Sequence, residues 1–194
     1  MSMDKKTALE LVKKDGLNLK PMGRLVKTKK FKKDKEVVLE AVKKNGYHLQ
    51  YADESLKKDR KFILKAVKQH GAALACADKS FRKDKKIVLE AVKNYCLALY
   101  YVDKSLKKDR KFILKAVKHG AALMWVNKSF KKDKKIVLEA VKQEGLELAY
   151  ADKSFRKDKK IVLEAVKNNV DALEWIDESL EKDADILKVA NKKK

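Results

Sequence analysis

One short sequence pattern recurs along almost the whole chain and constrains the fold more than any other feature. Each copy begins with an aspartate, and from Asp34 onward successive copies are 25 residues apart, except for one interval of 24 residues after Asp109. A fixed period of this length is typical of repeat proteins, in which neighbouring repeats stack around one continuous core. A degenerate copy begins at Asp4. The other copies, named below by their aspartates, begin at Asp34, Asp59, Asp84, Asp109, Asp133, Asp158 and Asp183.

Each repeat predicts a long helix followed by a shorter helical segment. The aspartate is a favourable helix N-cap. In the Asp84 repeat, the apolar stripe that follows at helical spacing consists of Ile87, Val88, Ala91 and Val92. Leucines and other apolar residues at i, i+3 and i+7 predict a buried face for the second segment. The pattern leaves open whether an Asp-x-Ser or Asn-x-Ser triplet divides this segment into two short helices.

A glycine stands where the long helix should end. Glycine adopts the left-handed conformation without steric cost, so this position predicts a left-handed C-cap. Cys96 and Val170 replace the glycine in two repeats, where we expect a different cap. The Asp109 repeat lacks one residue here, which predicts a tighter turn. The glycines concerned are Gly16, Gly46, Gly71, Gly120 and Gly145.

These features together predict an all-α fold, an α-solenoid of stacked short helix-turn-helix repeats. We expect one solenoid domain over residues 1–194. It comprises an atypical N-terminal repeat at 4–33, six regular repeats at 34–182, and a one-helix C-terminal cap with a basic tail at 183–194. Residues 17–33 contain the only proline and many lysines. A modified N-terminal cap is the favoured interpretation of this stretch, and a basic binding arm is the alternative.

The segment DKEVVLEAVKKNGYHLQYAD at residues 34–53 resembles the repeat of the Domain-of-Unknown-Function 4116 family. That repeat reads roughly D-x-E-V-V-L-x-A-V-x-x-N-G-x-x-L-x-Y-A-S, and Asp53 stands where the family usually has serine. The resemblance extends over nearly the whole chain and implies an α-helical tandem repeat. It implies no catalytic residues, because no activity is established for the family.

The net charge indicates an anionic partner. The chain contains 50 Lys+Arg and 28 Asp+Glu, which gives a net charge of +22. Nucleic acid, an acidic protein or anionic lipid would each be attracted, whereas the alternative is that the lysines serve solubility alone. Only five of the basic residues are arginines, which read base edges better than lysines do. The composition therefore favours attraction that does not depend on sequence.

Many basic residues lie in a five-residue segment, [KR]-K-D-[KR]-K, between consecutive repeats. We call this segment the basic turn and name it by its aspartate. Stacking would bring the turns to one edge, where they would attract phosphates without reading bases. The alternative is an ordinary solvated turn, although lysines at helix N-termini oppose the helix dipole. The candidate anion-binding residues are Lys57, Lys58, Arg60, Lys61, Arg82, Lys83, Lys85, Lys86, Lys107, Lys108, Arg110, Lys111, Lys131, Lys132, Lys134, Lys135, Arg156, Lys157, Lys159 and Lys160.

Two further positions form columns through the repeats. One column carries mostly aromatic residues, which could stack unpaired bases, although packing between repeats is the favoured interpretation. Its members are Tyr51, Cys76, Tyr101, Trp125, Tyr150 and Trp175. The other column contains charges of mixed sign and predicts a ladder of ion pairs between repeats. Its members are Glu40, Lys65, Glu90, Lys115, Glu139 and Glu164.

The sequence does not support catalysis. It has no HExxH, CxxC or glycine-rich phosphate loop. His70 and His119 fall at predicted helix ends, and the repeated Ser and Asp residues are explained as capping groups. We therefore expect no enzyme activity, catalytic residue, metal site or cofactor. The chain also lacks a membrane-length apolar run and signal-peptide features, so we expect a cytoplasmic protein that does not bind membranes.

The favoured functional hypothesis is a non-enzymatic repeat module that binds polyanions, most of all nucleic acid without sequence preference, through the lysine-rich edge. The alternative is a protein–protein interaction scaffold that holds a protein partner on a concave face, with lysines that serve solubility. The sequence determines neither the partner nor the oligomeric state.

Overall fold

A computed structural model describes residues 4–14 and 31–192 of the chain. Every regular element in these two ranges is an α-helix or a 3₁₀-helix, and no β-strand occurs there. The predicted all-α fold is therefore confirmed. None of the helices in the same ranges is long and apolar enough to cross a membrane. Most of the predicted atypical region at 17–33 lies outside the described residues.

The chain divides into two compact units, Met1–Asp103 and Lys104–Lys194. The single domain expected over 1–194 stays a prediction, and each unit is described by itself. Each repeat begins with a long helix. In the first unit these helices are Lys5–Lys14, Lys35–Lys44, Arg60–Gln69 and Lys85–Asn94; in the second they are Arg110–Lys118, Lys134–Gln143, Lys159–Asn168 and Ala184–Asn191.

The second segment of each of the six repeats from Asp34 to Asp158 is divided in two. In the Asp34 repeat, Asp53 separates the pieces and accepts hydrogen bonds from the Ser55 amide at 3.0 Å and the Ser55 hydroxyl at 2.7 Å. The first pieces are the 3₁₀-helices Gly46–Tyr51, Gly71–Cys76, Cys96–Tyr101, Leu123–Trp125, Gly145–Tyr150 and Val170–Trp175. The second pieces are Glu54–Lys57, Lys79–Lys83, Lys104–Lys107, Phe130–Lys132, Lys153–Lys157 and Glu178–Leu180. The aspartate of such a triplet acts as a helix start at Asp53, Asp78, Asp152 and Asp177, because its carboxylate accepts an amide that the helix leaves without a partner.

Within each unit, consecutive long helices pack against each other, and so do consecutive 3₁₀-helices. The predicted apolar stripe forms the core: Ile87, Val88 and Ala91 are fully buried in the first unit, as are Ile161 and Val162 in the second. Burying a side chain of this size contributes about 1.5–3 kcal/mol before entropy losses. Each unit is therefore an α-solenoid of short helix-turn-helix repeats, as predicted.

The predicted left-handed C-cap is wrong at Gly46, Gly71 and Gly145. The residue before each of these glycines caps the helix with extended backbone, at φ −156°, −154° and −147° respectively. Among the described residues, only Gly120 has a positive φ, at 88°. Gly16 lies outside the described residues.

Glycine is needed at the other positions because the next repeat lies against it. A Cβ on Gly46 would lie 2.6 Å from the amide nitrogen of Ala73. A Cβ on Gly145 would collide with the carbonyl oxygen of Ala165, in the following long helix. The close approach of the next repeat, and not the local turn, therefore excludes a side chain at these two glycines.

The 24-residue repeat has the tighter turn that was predicted. Gly120 takes up the left-handed conformation, and the 3₁₀-helix that follows is reduced to Leu123–Trp125. The amide of Leu123 donates to Oε2 of Glu147, in the next repeat, at 2.6 Å. Burial raises the pKa of the Glu147 carboxyl, and the Leu123 amide opposes that rise. A side chain of the neighbouring repeat thus provides the acceptor at the shortened turn.

The two roles of glycine predict different responses to asparagine, which tolerates a left-handed backbone but carries a Cβ. Gly145→Asn should lower the free energy of unfolding by about 1–3 kcal/mol, because the collision involves main-chain atoms. Gly120→Asn, in the same unit, should lower it by less than about 1 kcal/mol, since no atom lies within 4 Å of its Cβ. Urea denaturation followed by circular dichroism measures both. Equal losses of unfolding free energy in the two variants would contradict the different roles given to Gly145 and Gly120.

Candidate anion-binding surface

The aspartate of each basic turn starts the long helix that follows. In the Asp84 turn, Oδ1 of Asp84 accepts the amides of Lys86 at 3.0 Å and Ile87 at 3.1 Å. These are two of the amides that a helix leaves without an internal partner. The other carboxylate oxygen, Oδ2, remains available for a contact with the preceding repeat.

The fourth residue of a basic turn makes that contact with the aspartate of the next repeat. Arg60 Nε lies 2.8 Å from Asp84 Oδ2, and Arg110 forms two hydrogen bonds with Asp133, at 2.5 and 3.0 Å. The same pairing occurs for Lys5 with Asp34, Lys35 with Asp59, Lys134 with Asp158 and Lys159 with Asp183. The side chains of these cations are exposed to solvent, but each is neutralised by an aspartate and is therefore less available to an external anion.

The pairing changes the acidity of the aspartates. The hydrogen bond from Arg110 and the amide of Ile136 hold the pKa of the Asp133 carboxyl below its usual value, although burial opposes this. The hydrogen bond from Lys35 is the largest cause that lowers the pKa of Asp59. Both carboxylates are therefore charged at neutral pH, as an ion pair and a helix cap require.

The first residue of a basic turn is directed towards the protein. Lys57 is only 16% exposed and pairs with Glu54 at 2.9 Å. Arg82 donates to the carbonyl oxygen of Ala75 at 3.0 Å, and Arg156 donates to that of Ala149 at 3.3 Å. The other two residues at this position, Lys107 and Lys131, are half-buried, and burial lowers the pKa of Lys107. This position supports the fold more than it presents charge to solvent.

The second residue is exposed and only loosely compensated. Lys132 Nζ lies 3.8 Å from Asp152, and Lys157 Nζ lies 3.6 Å from Asp177. Lys83 is 4.0 Å from Asp103. The lysines of these pairs are 64–67% exposed. Contacts of this kind contribute little to stability, so an external phosphate can compete for them. Lys58 and Lys108 are exposed as well.

The fifth residue presents uncompensated charge to solvent. The five lysines at this position are exposed, and none has an ion-pair partner among the described residues: Lys61, Lys86, Lys111, Lys135 and Lys160. The equivalent residues of the Asp34 and Asp183 repeats are acidic. Glu36 pairs with Lys5 at 2.9 Å and Asp185 with Lys159 at 2.6 Å. The twenty candidate residues thus differ in their availability to an external anion according to their position in the turn. Lys85, at the fourth position, is exposed.

The aromatic column is more exposed than the packing interpretation predicted. Tyr150 is 43% exposed and Trp175 is 37% exposed. The remaining members, Tyr51, Cys76, Tyr101 and Trp125, are half-buried. The prediction of a buried column is therefore wrong at its C-terminal end, because a neighbouring repeat covers only part of each ring.

The predicted column of charges forms ion pairs mostly along single helices. Glu90 pairs with Lys93 at 2.9 Å, and Glu164 pairs with Lys167 at 3.1 Å. Glu139 lies 4.0 Å from Lys118 of the preceding repeat. The ladder between repeats is instead made by the turn aspartates, which the sequence indicated only as helix caps.

The sequence analysis did not predict a cluster of tyrosines in the first unit. The hydroxyl of Tyr47 lies 2.9 Å from that of Tyr101 and 3.5 Å from that of Tyr95. Hydrogen bonding to Tyr101 and Tyr95 raises the pKa of Tyr47. Tyr47 belongs to the Asp34 repeat and its partners to the Asp84 repeat, so the contact passes over the Asp59 repeat, where Ala72 occupies the position of Tyr47. The small side chain of Ala72, which leaves room for this contact, is the feature of the sequence that could have indicated the cluster.

His70 and His119 lie at helix ends, as the sequence predicted. His70 ends the helix Arg60–Gln69, and its Nδ1 accepts the amide of Ala72 at 3.3 Å, while burial lowers its pKa. His119 ends the helix Arg110–Lys118. Both residues are accounted for by helix capping.

The long helix, the divided second segment and their regular stacking define an α-helical tandem-repeat protein. A family model described as Domain of unknown function (DUF4116) matches residues 34–82, 84–131, 109–156 and 133–181. The chain belongs to this family, as the resemblance of its repeats predicted. Neither a search of curated proteins nor one of solved structures found a match.

The shared role of the turn aspartate predicts a dependence of stability on pH. Asp133→Asn keeps an oxygen for the cap but loses the ion pair with Arg110, and should cost less than about 1 kcal/mol at pH 7. Asp133→Ala also loses the cap and should cost about 1–2 kcal/mol. Because the folded-state pKa is depressed, the ion pair stabilises above the unfolded value of about 3.9 and is lost as the pH falls through the folded value.

Urea unfolding between pH 7 and pH 2 measures this effect. The difference between the wild type and Asp133→Asn should shrink towards zero at the acidic end. Asp171→Asn is the matched control, because Asp171 is an exposed carboxylate of the same unit with no ion-pair partner among the described residues. If the difference in free energy of unfolding between the wild type and Asp133→Asn stayed constant with pH, the ion pair would be contradicted.

Proposed function

We propose that this protein is a non-enzymatic module that binds polyanions, with nucleic acid bound without sequence preference as the favoured partner. The observation that carries the proposal is the row of exposed, uncompensated lysines at the fifth position of the basic turns. Consecutive long helices pack at roughly 8–10 Å, so within each unit such lysines recur at about that spacing. A row of point charges attracts a phosphate backbone.

The fold does not require lysine at the fifth position. This residue lies in the first turn of the long helix, where the dipole favours acidic side chains over basic ones. The Asp34 and Asp183 repeats carry Glu36 and Asp185 there and form the same helix. The lysines of the five intervening repeats therefore slightly oppose helix stability, which supports a role outside the fold.

The four arginines that the structure describes support the absence of sequence preference. Reading a base edge needs a free guanidinium that can donate two parallel hydrogen bonds. Arg60 and Arg110 instead bind turn aspartates. Arg82 and Arg156 donate to main-chain carbonyl groups. The exposed cations that remain at the second and fifth positions are lysines, which contact phosphate as point charges.

Binding to heparin, duplex DNA and single-stranded oligonucleotides should weaken steeply between 50 and 200 mM salt. Replacing the fifth-position lysines by glutamine should weaken all three at least tenfold and lower the slope of log K against log salt by up to about 4. The variant combines Lys61→Gln, Lys86→Gln, Lys111→Gln, Lys135→Gln and Lys160→Gln. Fluorescence anisotropy with labelled ligands provides the affinities.

A matched control removes five exposed lysines from the opposite ends of the long helices: Lys13→Gln, Lys43→Gln, Lys44→Gln, Lys68→Gln and Lys142→Gln. It changes the net charge equally and should retain most of the affinity. Equal loss in both variants would show that net charge alone determines binding. If no polyanion binds at 50 mM salt, the proposal is wrong, and capture of a protein partner that persists at 200 mM salt would support the scaffold hypothesis.

A further inference from the structure

The exposed end of the aromatic column lies next to the basic turns. The amide of Asp152 donates to the carbonyl oxygen of Lys131 at 3.0 Å, and that of Asp177 donates to the carbonyl oxygen of Arg156 at 3.1 Å. Tyr150 and Trp175 each precede one of these aspartates by two residues. The main-chain hydrogen bonds therefore hold the chain segment that carries each exposed ring beside the turn of the preceding repeat.

Arg156 contacts the ring of Trp175 and the main chain next to Tyr150. Its guanidinium carbon lies 5.4 Å from the centroid of the Trp175 ring, within cation–π range. The same guanidinium donates to the carbonyl oxygen of Ala149, the residue before Tyr150. The hydrogen bond to Ala149 thus positions the guanidinium that lies over the Trp175 ring. Trp175 is held in place while more than a third of it remains open to solvent.

An open groove is lined by Arg156, which contacts the Trp175 ring, and by Ile176, the residue after Trp175. Its volume is about 630 Å³, within the range of pockets that hold small organic groups. Its lining includes the cations Lys153, Arg156 and Lys157 and the carboxylates Asp177 and Glu178. Asp177 is already engaged by Ser179, whose hydroxyl donates to it at 2.7 Å. A flat, weakly charged group beside a phosphate matches this combination of ring, cations and open space.

We propose that the second unit binds single-stranded nucleic acid, with unpaired bases stacked on Tyr150 and Trp175 and phosphates bound by Lys132 and Lys157. This inference rests on the proposed function and narrows it to one class of polyanion. A base in a duplex already stacks on its neighbours and cannot use these rings, whereas an unpaired base can. Heparin has charge but no bases, so it gains nothing from the aromatic residues.

The test compares oligo(dT) with an abasic oligonucleotide of equal length and with heparin, all at 50 mM salt. Tyr150→Ala and Trp175→Ala should each weaken oligo(dT) binding by about 5-fold to 100-fold and leave the other two ligands unchanged. Trp175→Phe should restore most of the affinity, because it keeps an aromatic face. Met124→Ala, which removes an exposed apolar side chain of the same unit, is the control and should have no effect.

Circular dichroism melting of each variant shows that the fold is retained. Indole quenching by oligo(dT) that is present in the wild type and reduced in Trp175→Phe would locate the base on this ring. If oligo(dT), the abasic chain and heparin bind alike and the alanine variants change none of them, stacking is wrong while polyanion binding stands. If none of the ligands binds the wild type, both proposals are wrong.

Discussion

The aspartate at the start of each repeat is the residue on which the rest of the structure depends. One carboxylate oxygen satisfies amides at the start of its own helix, as in Asp84 with Lys86 and Ile87. The other accepts a hydrogen bond from the preceding repeat, as from Arg60. A cap alone would stabilise one helix, and an exposed ion pair alone would contribute at most about 1 kcal/mol. Their combination fixes each helix start relative to the repeat before it.

This shared aspartate also determines which positive charges remain available. A basic turn has four cations around one carboxylate, and the fold uses them unequally. The fourth is neutralised by the next aspartate and the first is turned towards main-chain carbonyl groups, as Arg82 and Arg156 illustrate. Charge is therefore left at the second and fifth positions. The net charge of the chain overstates the number of cations that an external anion can reach.

Sequence analysis predicted the features that depend on one repeat alone. The aspartate caps and the stripe of Ile87, Val88 and Ala91 follow from spacing and residue type, and the structure confirms them. The role of Gly145 could not be predicted, because the atom that excludes a Cβ belongs to the next repeat. A glycine in a helix-ending position predicts a left-handed cap by default, and of the cap glycines that the structure describes, only Gly120 has one.

The candidate site was predictable in composition but not in geometry. Lysine and arginine occupy four positions of every basic turn, and the sequence does not show which of them form an ion pair with a carboxylate. That distinction depends on the offset between neighbouring helices. The exposure of Tyr150 and Trp175 has the same origin, because it depends on how much of each ring the adjacent repeat covers. The contact of Tyr47 with Tyr101 follows no single-repeat rule, since it bridges two repeats.

The separation of structural and available charge has a consequence for how such a surface can change. The stack needs the aspartate and the cation that pairs with it, so these positions are constrained by folding. The fifth position is not, because Glu36, Asp185 and the intervening lysines all occur on the same kind of helix. Charge there can change sign from repeat to repeat without altering the caps or the core. A repeat array of this kind can therefore adjust its affinity for anions one repeat at a time, while the interactions that hold the repeats together stay the same.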